Sequence, residues 1–218
     1  MLVNTIQKNQ INLLKKKINK NTPVIIVKNF IKPVYCKKII KYCEIIAKNT
    51  PHRKLSKNKD FYSLDVLPSN VKTDRIFRTF VLGNKIQNKY KFITQIKKFQ
   101  KEYILKLKNK KIFSKVQVMH YPVGGGFFAE HKHQRLPTNY GIILTLSKKG
   151  KDFKTGVTNF RYKNKKINID NYDVSAGDII LFRYDLYHSI SPCDPKKNLT
   201  FNDKGRWTMI FPVYHKSF

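Results

Sequence analysis

The order of its predicted elements assigns this chain to the α+β class, with helices packed on one β-sandwich or barrel. Helical spacing of apolar residues is concentrated in the first half of the sequence. From residue 114 onwards, short apolar runs alternate with Gly, Pro, Asn and Asp, which is typical of strands. The 218 residues are 41% hydrophobic and show no repeat or clear linker, so we expect a single domain over 1–218.

The first half, about 1–110, is expected to be the helical part of this domain. Residues 1–22 have apolar side chains loosely at helical spacing and favour a short amphipathic helix. The β-branched run Val24–Val27 predicts a buried strand. Pro33 is suited to the first turn of the helix that follows, and residues 50–72 are interpreted as a loop. Two further elements complete this half: a strand over Ile76–Leu82 and a helix over about 86–108.

The second half, about 114–214, is expected to form the β core. Each apolar run in it is short and is bounded by residues that favour turns. The strands predicted there are Ser114–Tyr121, Phe127–His133, Tyr140–Ser147, Thr158–Tyr162, Lys166–Ile169, Asp178–Arg183 and Trp207–Tyr214.

The formal net charge of +32, from 45 basic and 13 acidic side chains, favours anionic partners. Nucleic acid, an anionic membrane surface and an acidic small molecule are all partners of this kind. Drift in an A/T-rich genome is the other explanation, because Lys, Ile and Asn have A/T-rich codons. Glutamate is also compatible with such codons, yet only Glu44, Glu102 and Glu130 occur. Both explanations stay open.

Three further features bear on location. The sequence has no apolar run long enough for a transmembrane helix, so no membrane span is expected. The N-terminus lacks the pattern of a secretory signal. Cys36, Cys43 and Cys193 show no paired spacing, which favours free thiols in a reducing cytoplasm. A cytoplasmic location is therefore expected.

Two histidines, His131 and His133, follow the glycine run Gly124–Gly126. On a strand, residues i and i+2 point to the same face, so both imidazoles can approach one point while Lys132 faces away. A third histidine from a distant strand would complete a three-point metal site that leaves coordination positions open. The glycines are interpreted as a tight turn, because neither a helix nor a Lys-Ser/Thr pair follows them as in a phosphate-binding loop.

Four blocks in order resemble the conserved blocks of the Fe(II)/2-oxoglutarate-dependent dioxygenases: YPVGGGFFAEHKH, GVTNF, AGDIILFRYDLYHSISP and GRWTM. The resemblance covers roughly residues 115–212. It implies a double-stranded β-helix, a jelly-roll or cupin-like core, with flanking N-terminal helices. It also implies that Fe(II), 2-oxoglutarate as cosubstrate and O2 take part, with His131 and His188 as iron ligands.

The same resemblance assigns the cosubstrate site. Arg206 matches the residue that binds the distal carboxylate of 2-oxoglutarate, for which a bidentate guanidinium is well suited. Thr208 lies two residues later on the same strand face and could join this contact. Tyr121 is a candidate second donor to the cosubstrate.

At position 133 the family has an acidic residue and this chain has histidine. The expected metal site is therefore the set His131, His133 and His188. Neutral imidazoles are good Fe(II) ligands. Compared with a carboxylate, a neutral ligand adds one unit of positive charge, which changes the metal affinity and potential of the iron. Asp185, three residues before His188, is a candidate substitute carboxylate or hydrogen-bond partner of an imidazole.

The resemblance implies oxidative decarboxylation of 2-oxoglutarate coupled to hydroxylation or another C–H oxidation. The charge suggests an acidic small molecule as the substrate, whose identity the sequence does not give. Two alternatives stay open. The first, based on His133, is that the protein binds metal but is a catalytically altered or inactive member of the same fold. The second, based on the net charge, is that the protein is an oxygenase acting on nucleic acid. It is less favoured because no second arginine follows Arg206 at short spacing.

Overall fold

A computed structural model describes residues 2–49, 61–66, 74–104, 112–133 and 139–215 of the chain. The N-terminal half contains four helices and four strands among its described residues. They are β1 (Val3–Gln7), a 3-10 turn (Lys8–Gln10), α1 (Ile11–Asn19), β2 (Val24–Lys28), α2 (Pro33–Asn49), β3 (Phe61–Val66), β4 (Arg75–Val81), α3 (Asn84–Lys89), α4 (Lys91–Phe99) and a π-helical turn (Gln100–Ile104).

The C-terminal half is built almost entirely of strands. They are β5 (Ile112–Ser114), β6 (Gln117–Tyr121), β7 (Gly126–His131), β8 (Tyr140–Thr145), β9 (Thr158–Tyr162), β10 (Lys165–Asn168), β11 (Ile179–Arg183), β12 (Tyr187–Cys193), β13 (Arg206–Ile210) and β14 (Val213–His215), with a 3-10 turn over Ile169–Tyr172.

Twelve strands form one mixed sheet, in the order β1-β2-β11-β8-β13-β6-β4-β7-β12-β9-β10 with β3 beside β4. Only the β1–β2 pair among these described strands is parallel. The sheet curls until its two halves face each other, since the Arg206 guanidinium on β13 donates to the carbonyl of Gly156, just before β9, at 3.1 Å. This is the jelly-roll arrangement that the sequence predicts.

Strand β13 shows how the two faces of the sheet are used. Side chains alternate across a strand, and Trp207 and Met209 enter the apolar core that the sheet shares with the helices. Trp207 is fully buried and stacks on the His120 ring, with 4.0 Å between centroids. Thr208 and Ile210 point instead into the interior of the curled sheet. The helices therefore cover the outer face, and the inner face lines the candidate site.

Two elements of the N-terminal half differ from the sequence prediction. Residues 1–22 begin with strand β1, which pairs with β2, and the helix is confined to Ile11–Asn19. The predicted loop 50–72 contains β3, which pairs along its whole length with β4; the rest of that loop lies outside the described residues. In both cases pairing with the next strand along the chain outweighs the local pattern of apolar residues.

Two further differences concern a helix and a strand. The helix predicted over about 86–108 is broken at Tyr90, whose extended backbone (φ −105°, ψ 93°) separates α3 from α4. Residues 105–108 lie outside the described part. Strand β12 is not among the predicted strands. Its segment contains Pro192, which lies at an irregularity between Ile190 and Cys193 where the pairing register with β7 shifts.

The turn before β11 fixes the strand pair that leads to the candidate site. Asp178 is buried, and its carboxylate accepts hydrogen bonds from the backbone N–H of Asn29 (2.7 Å) and Ser175 (2.9 Å) and an ion pair from Lys28 (2.7 Å). Gly177 has φ +97°, and a Cβ there would lie 2.2 Å from the Ile31 carbonyl oxygen. Only glycine fits this close approach.

All three cysteines are buried and free. None of the helices within the described ranges has the length and apolar character needed to cross a membrane.

Candidate metal centre

Three imidazoles converge at one end of the curled sheet. One ligand atom from each of His131, His133 and His188 lies within 4.8 Å of the other two. His131 ends β7 and faces His188 of β12 directly in the antiparallel register. His133 follows two residues after His131, and its ring lies 4.9 Å from that of His188. The structure thus brings together the three histidines that the sequence predicts as ligands.

Backbone carbonyls orient two of these rings. Nδ1 of His131 lies 2.9 Å from the Ala129 oxygen, and Nδ1 of His188 lies 3.2 Å from the Leu186 oxygen. A carbonyl can only accept, so each Nδ1 carries the proton in this arrangement and each Nε2 keeps its lone pair. Ligating histidines are commonly held in this way by their second ring nitrogen.

Burial keeps the three rings neutral. It lowers the pKa of His131, and it lowers the pKa of His133 to about 4 and that of His188 to about 3. Repulsion between the imidazolium forms adds to the shift at His133 and His188. All three imidazoles are therefore available as ligands at neutral pH, without displacement of protons.

Arg206 is buried and contacts Thr158, which lines a cavity together with the three histidines, although Arg206 itself is not among the lining residues. Its guanidinium donates to the Gly156 carbonyl and to the Thr158 hydroxyl, while its Nε is buried without a hydrogen-bond partner. It forms no ion pair with any residue that the structure describes. Burial accordingly lowers the pKa of Arg206. A buried cation without a counter-charge is costly, and an anionic ligand would offset that cost.

Thr208 and Tyr121 line a cavity of about 80 Å³ together with the three histidines. Tyr121 is opposite Arg206 in the β6–β13 register. Its buried hydroxyl donates to Met119 Sδ at 3.7 Å, and burial raises its pKa. The remaining wall is mainly apolar and includes Phe128, Ile143, Phe182 and Ile210.

Thr145 is a polar residue of this interior that the sequence alone does not reveal. It is opposite Thr208 in the β8–β13 register, so both side chains point to the inner face. Its hydroxyl is buried and has no hydrogen-bond partner among the residues that the structure describes. The neighbouring Ile-Ile-Leu run gives no sign of this, because the face on which Thr145 lies depends on the pairing of β8 with β13.

Asp185 does not join the cluster. Its carboxylate forms an ion pair with Arg183 and its side chain is 57% exposed. The hydrogen bond of the His188 ring goes instead to a backbone carbonyl. The suggestion of a substitute carboxylate at this position is therefore wrong for this structure.

The charged side chains next to the cluster are largely paired with one another. Arg75 lies over the Phe128 ring that stacks on His131, and it pairs with the adjacent Asp74. Arg161, which lies over the ring of Tyr187, pairs with Glu130. Together with the Arg183 pair, these bonds give three arginines around the cluster an acidic partner.

Comparison with known proteins identifies the fold. No protein-family model matches the sequence, and no curated protein matches it either. A prolyl hydroxylase from Trichoplax adhaerens, solved in complex with a hypoxia inducible factor peptide fragment, superposes with a TM-score of 0.64 at 15% identity, over 96% of this chain and 90% of that one. A Pseudomonas putida prolyl-4-hydroxylase superposes with a TM-score of 0.61 at 10% identity, over 94% of this chain and 98% of that one.

Identities this low establish a shared fold and no more. The chain has the fold of these prolyl hydroxylases, which confirms the predicted jelly-roll core with flanking helices.

Proposed function

We propose that this chain is an Fe(II)- and 2-oxoglutarate-dependent oxygenase whose iron site consists of His131, His133 and His188. The observation that carries the proposal is the convergence of three neutral imidazoles within 4.8 Å in the fold of the prolyl hydroxylases. The buried guanidinium of Arg206, which has no ion-pair partner among the described residues, supports the cosubstrate part of the proposal.

The donor set fits Fe(II). Imidazole is a suitable ligand for this ion, and each ring is neutral at pH 7. His131 and His188 present Nε2 because their Nδ1 atoms are held by carbonyls. When bound, Fe(II) together with 2-oxoglutarate and O2 supplies the oxidising chemistry that attacks a substrate C–H bond.

The polar groups of the interior fit a carboxylate. Arg206 would bind the distal carboxylate of 2-oxoglutarate as the charge partner that it lacks among the described residues. Thr208 and Tyr121 line the cavity of the three histidines and would donate their hydroxyls. The hydroxyl of Thr145, also without a partner, adds a further donor on the same face. These residues position the cosubstrate, while the apolar walls exclude water.

The experiment is an anaerobic titration of the protein with Fe(II) and then 2-oxoglutarate, followed by visible absorption. We expect a metal-to-ligand charge-transfer band that requires both components, and succinate release once O2 is admitted. Arg206→Gln should abolish the band at equal metal loading, because the carboxylate loses its cationic partner. Absence of 2-oxoglutarate binding in the metal-loaded protein would contradict the proposal.

A second candidate is favoured by one observation, the imidazole at position 133. A metal protein of the same fold that no longer turns over would bind Fe(II) and fail to release succinate. His133→Asp returns a carboxylate to this position and lowers the charge of the site by one unit. If the variant releases succinate and the natural chain does not, this second function is the correct one.

The substrate that we propose is a small molecule or a peptide. The Trichoplax adhaerens protein is solved with a peptide fragment, and this motivates the second class. Arg75, Arg161 and Arg183 around the cluster are already paired with acidic side chains, which makes them less available to an acidic substrate. The apolar wall favours a reacting C–H group in an apolar part of the substrate.

A further inference from the structure

A second, larger cavity lies on the outer face of the sheet, away from the histidine cluster. It encloses about 860 Å³ between helix α2 and the segments that flank β13 and β11. No residue that lines it also lines the metal cavity. We refer to it as the lysine groove, after its six exposed lysines: Lys37, Lys41, Lys48, Lys148, Lys151 and Lys204.

The lysines of the groove come from three separate segments. Lys37, Lys41 and Lys48 lie on one side of α2, because spacings of four and seven residues return to the same helical face. The others are supplied by the loop after β8 and the segment before β13. None of the six forms an ion pair with a described residue.

Two of the three acidic side chains in the groove are already engaged. The Glu44 carboxylate accepts an ion pair from the buried guanidinium of Arg78 at 2.5 Å. The Asp152 carboxylate accepts a hydrogen bond from the backbone N–H of Lys148 at 2.7 Å. The groove therefore presents cationic rims, in contrast to the paired charges around the metal centre.

Between these rims the floor is apolar. It includes Ile40, Leu146, Ala176 and the ring of Phe201, which is 36% exposed. A single-stranded nucleic acid in a basic groove stacks its bases on several aromatic rings, and Phe201 is the only aromatic ring among the described lining residues. A floor of three aliphatic residues and one ring instead suits the Leu, Ile or Val side chains of a peptide.

We infer that the lysine groove is a docking site for an acidic, amphipathic peptide segment of a partner protein. Carboxylates of the segment would pair with the lysines of the rims, and its apolar side chains would lie on the floor. This inference does not depend on the proposed oxygenase activity, because the two cavities share no residue.

The test is fluorescence anisotropy of the full chain with a labelled peptide of four Glu-Glu-Leu repeats at 150 mM salt. The triple change Lys41→Gln, Lys48→Gln and Lys151→Gln should weaken binding about 10-fold, as the loss of three exposed ion pairs predicts. The matched control is Lys163→Gln, Lys165→Gln and Lys166→Gln around the β9–β10 hairpin, which removes the same charge and should change the affinity less than about 2-fold.

The apolar floor is tested separately. Phe201→Ser should weaken binding of the same peptide about 5-fold, since the peptide would bury the exposed third of the Phe201 side chain. Leu199→Ser is the control, because Leu199 is 42% exposed and does not line the groove. Circular dichroism melts of each variant verify that the fold is intact.

Three results would overturn the inference. Equal losses in the two lysine triples would mean that binding depends on total charge alone. A twelve-residue polyglutamate that binds as tightly as the Glu-Glu-Leu peptide would remove the role of the floor. A twelve-nucleotide oligothymidylate that binds more tightly than the peptide, and loses affinity in the groove triple, would make the groove a nucleic-acid site.

Discussion

His133 gives the metal centre a neutral third ligand. A carboxylate at this position would reduce the charge of an Fe(II) site from +2 to +1, whereas three imidazoles leave it at +2. The higher charge should strengthen the attraction of the iron site for an anionic cosubstrate. Without a negatively charged ligand, the protein should also bind the Fe(II) ion less tightly. The ring of His133 is tied to the cluster by contacts with His188 (4.9 Å) and Tyr184 (4.8 Å) between centroids.

At the same scale, His188→Ala is expected to weaken Fe(II) binding by at least about 100-fold, because loss of a ligand exceeds the effect of losing an outer hydrogen bond. Anaerobic calorimetry with Fe(II) measures it. Lys132→Gln is the control, since Lys132 lies between two ligands yet extends towards the ring of Tyr187, 5.4 Å away. A Kd for His188→Ala equal to that of the unaltered chain would exclude His188 as a ligand.

The buried histidines also predict how stability depends on pH. Burial lowers the pKa of His188 to about 3 and of His133 to about 4, and the pKa of His120 falls well below its ordinary value. Between pH 6.5 and 4.5 the unfolded chain therefore binds more protons than the folded one, so acid favours unfolding. His188 alone should cost about 2 kcal/mol over these two pH units.

Urea unfolding of the metal-free protein, followed by circular dichroism at pH 7.0, 5.5 and 4.5, measures this dependence. Carboxylates with ordinary pKa values titrate mainly below this window. A free energy of unfolding that stays constant from pH 6.5 to 4.5 would show that the histidines are not buried as neutral groups.

Local spacing and the order of the motifs are the basis on which the sequence predicts six site residues, and the structure brings three of them, the histidines, together. The i, i+2 spacing sets His131 and His133 on one face, and the same rule places Thr208 beside Arg206. Thr145 could not be predicted in this way. Its position on the inner face follows from the pairing of β8 with β13, and no local pattern specifies which strand lies beside which.

At the scale of elements, the register of β8 and β13 places Thr145 opposite Thr208, and a substitution tests whether its hydroxyl binds the cosubstrate. Thr145→Val removes a buried hydroxyl that has no partner, so the free energy of unfolding should stay equal or rise slightly. We expect the affinity for 2-oxoglutarate to fall about 10-fold, in line with the loss of one hydrogen bond to a charged group. Thermal melts and cosubstrate titration of the iron-loaded protein provide the two measurements.

The hydroxyl of Thr158 is the comparison for this change, because it already accepts a hydrogen bond from Arg206. Thr158→Val should lower stability, whereas Thr145→Val should not. If Thr145→Val is destabilised as strongly as Thr158→Val, the hydroxyl of Thr145 has a structural partner and no role reserved for the cosubstrate.

Elements were predicted best where one face is fully buried. The run Val24–Val27 lies within β2, which is central to one half of the sheet, and its apolar residues are fully or almost fully buried. Strands β1 and β3 were missed because β1 lies at the end of the sheet and β3 pairs only with β4. In such strands the spacing of apolar residues is a weak signal, and pairing with the neighbouring strand determines the structure.

At the scale of the whole molecule, the ion pair of Lys28 with Asp178 ties the N-terminal strands to the strands that carry the site. The Asp178 carboxylate is buried and binds two backbone N–H groups as well. Asp178→Ala is expected to lower the free energy of unfolding by about 3–5 kcal/mol, the usual effect of breaking a buried pair.

Asp185→Ala is the matched control, because it removes an ion pair of the same type from a largely exposed position. The cost there should be at most about 1 kcal/mol. Urea unfolding at pH 7 separates the two variants. Similar losses in both would mean that burial of Asp178 contributes nothing to the connection between the two halves of the chain.

The positive charge is not spread evenly over the molecule. Arginines near the metal centre are matched with acidic neighbours, whereas the six lysines of the lysine groove have no such partners among the described residues. Net charge is readable from composition, but its distribution follows from which segments the fold brings together.

The alternation along β13 has an optical consequence. Trp207 is the only tryptophan of the chain and is fully buried against His120 on the outer face of the sheet. It is the immediate neighbour of Arg206, whose side chain belongs to the opposite face. The protein thus contains a single indole fluorophore within one residue of its proposed cosubstrate anchor, and changes on the inner face can be followed from the core side without any label.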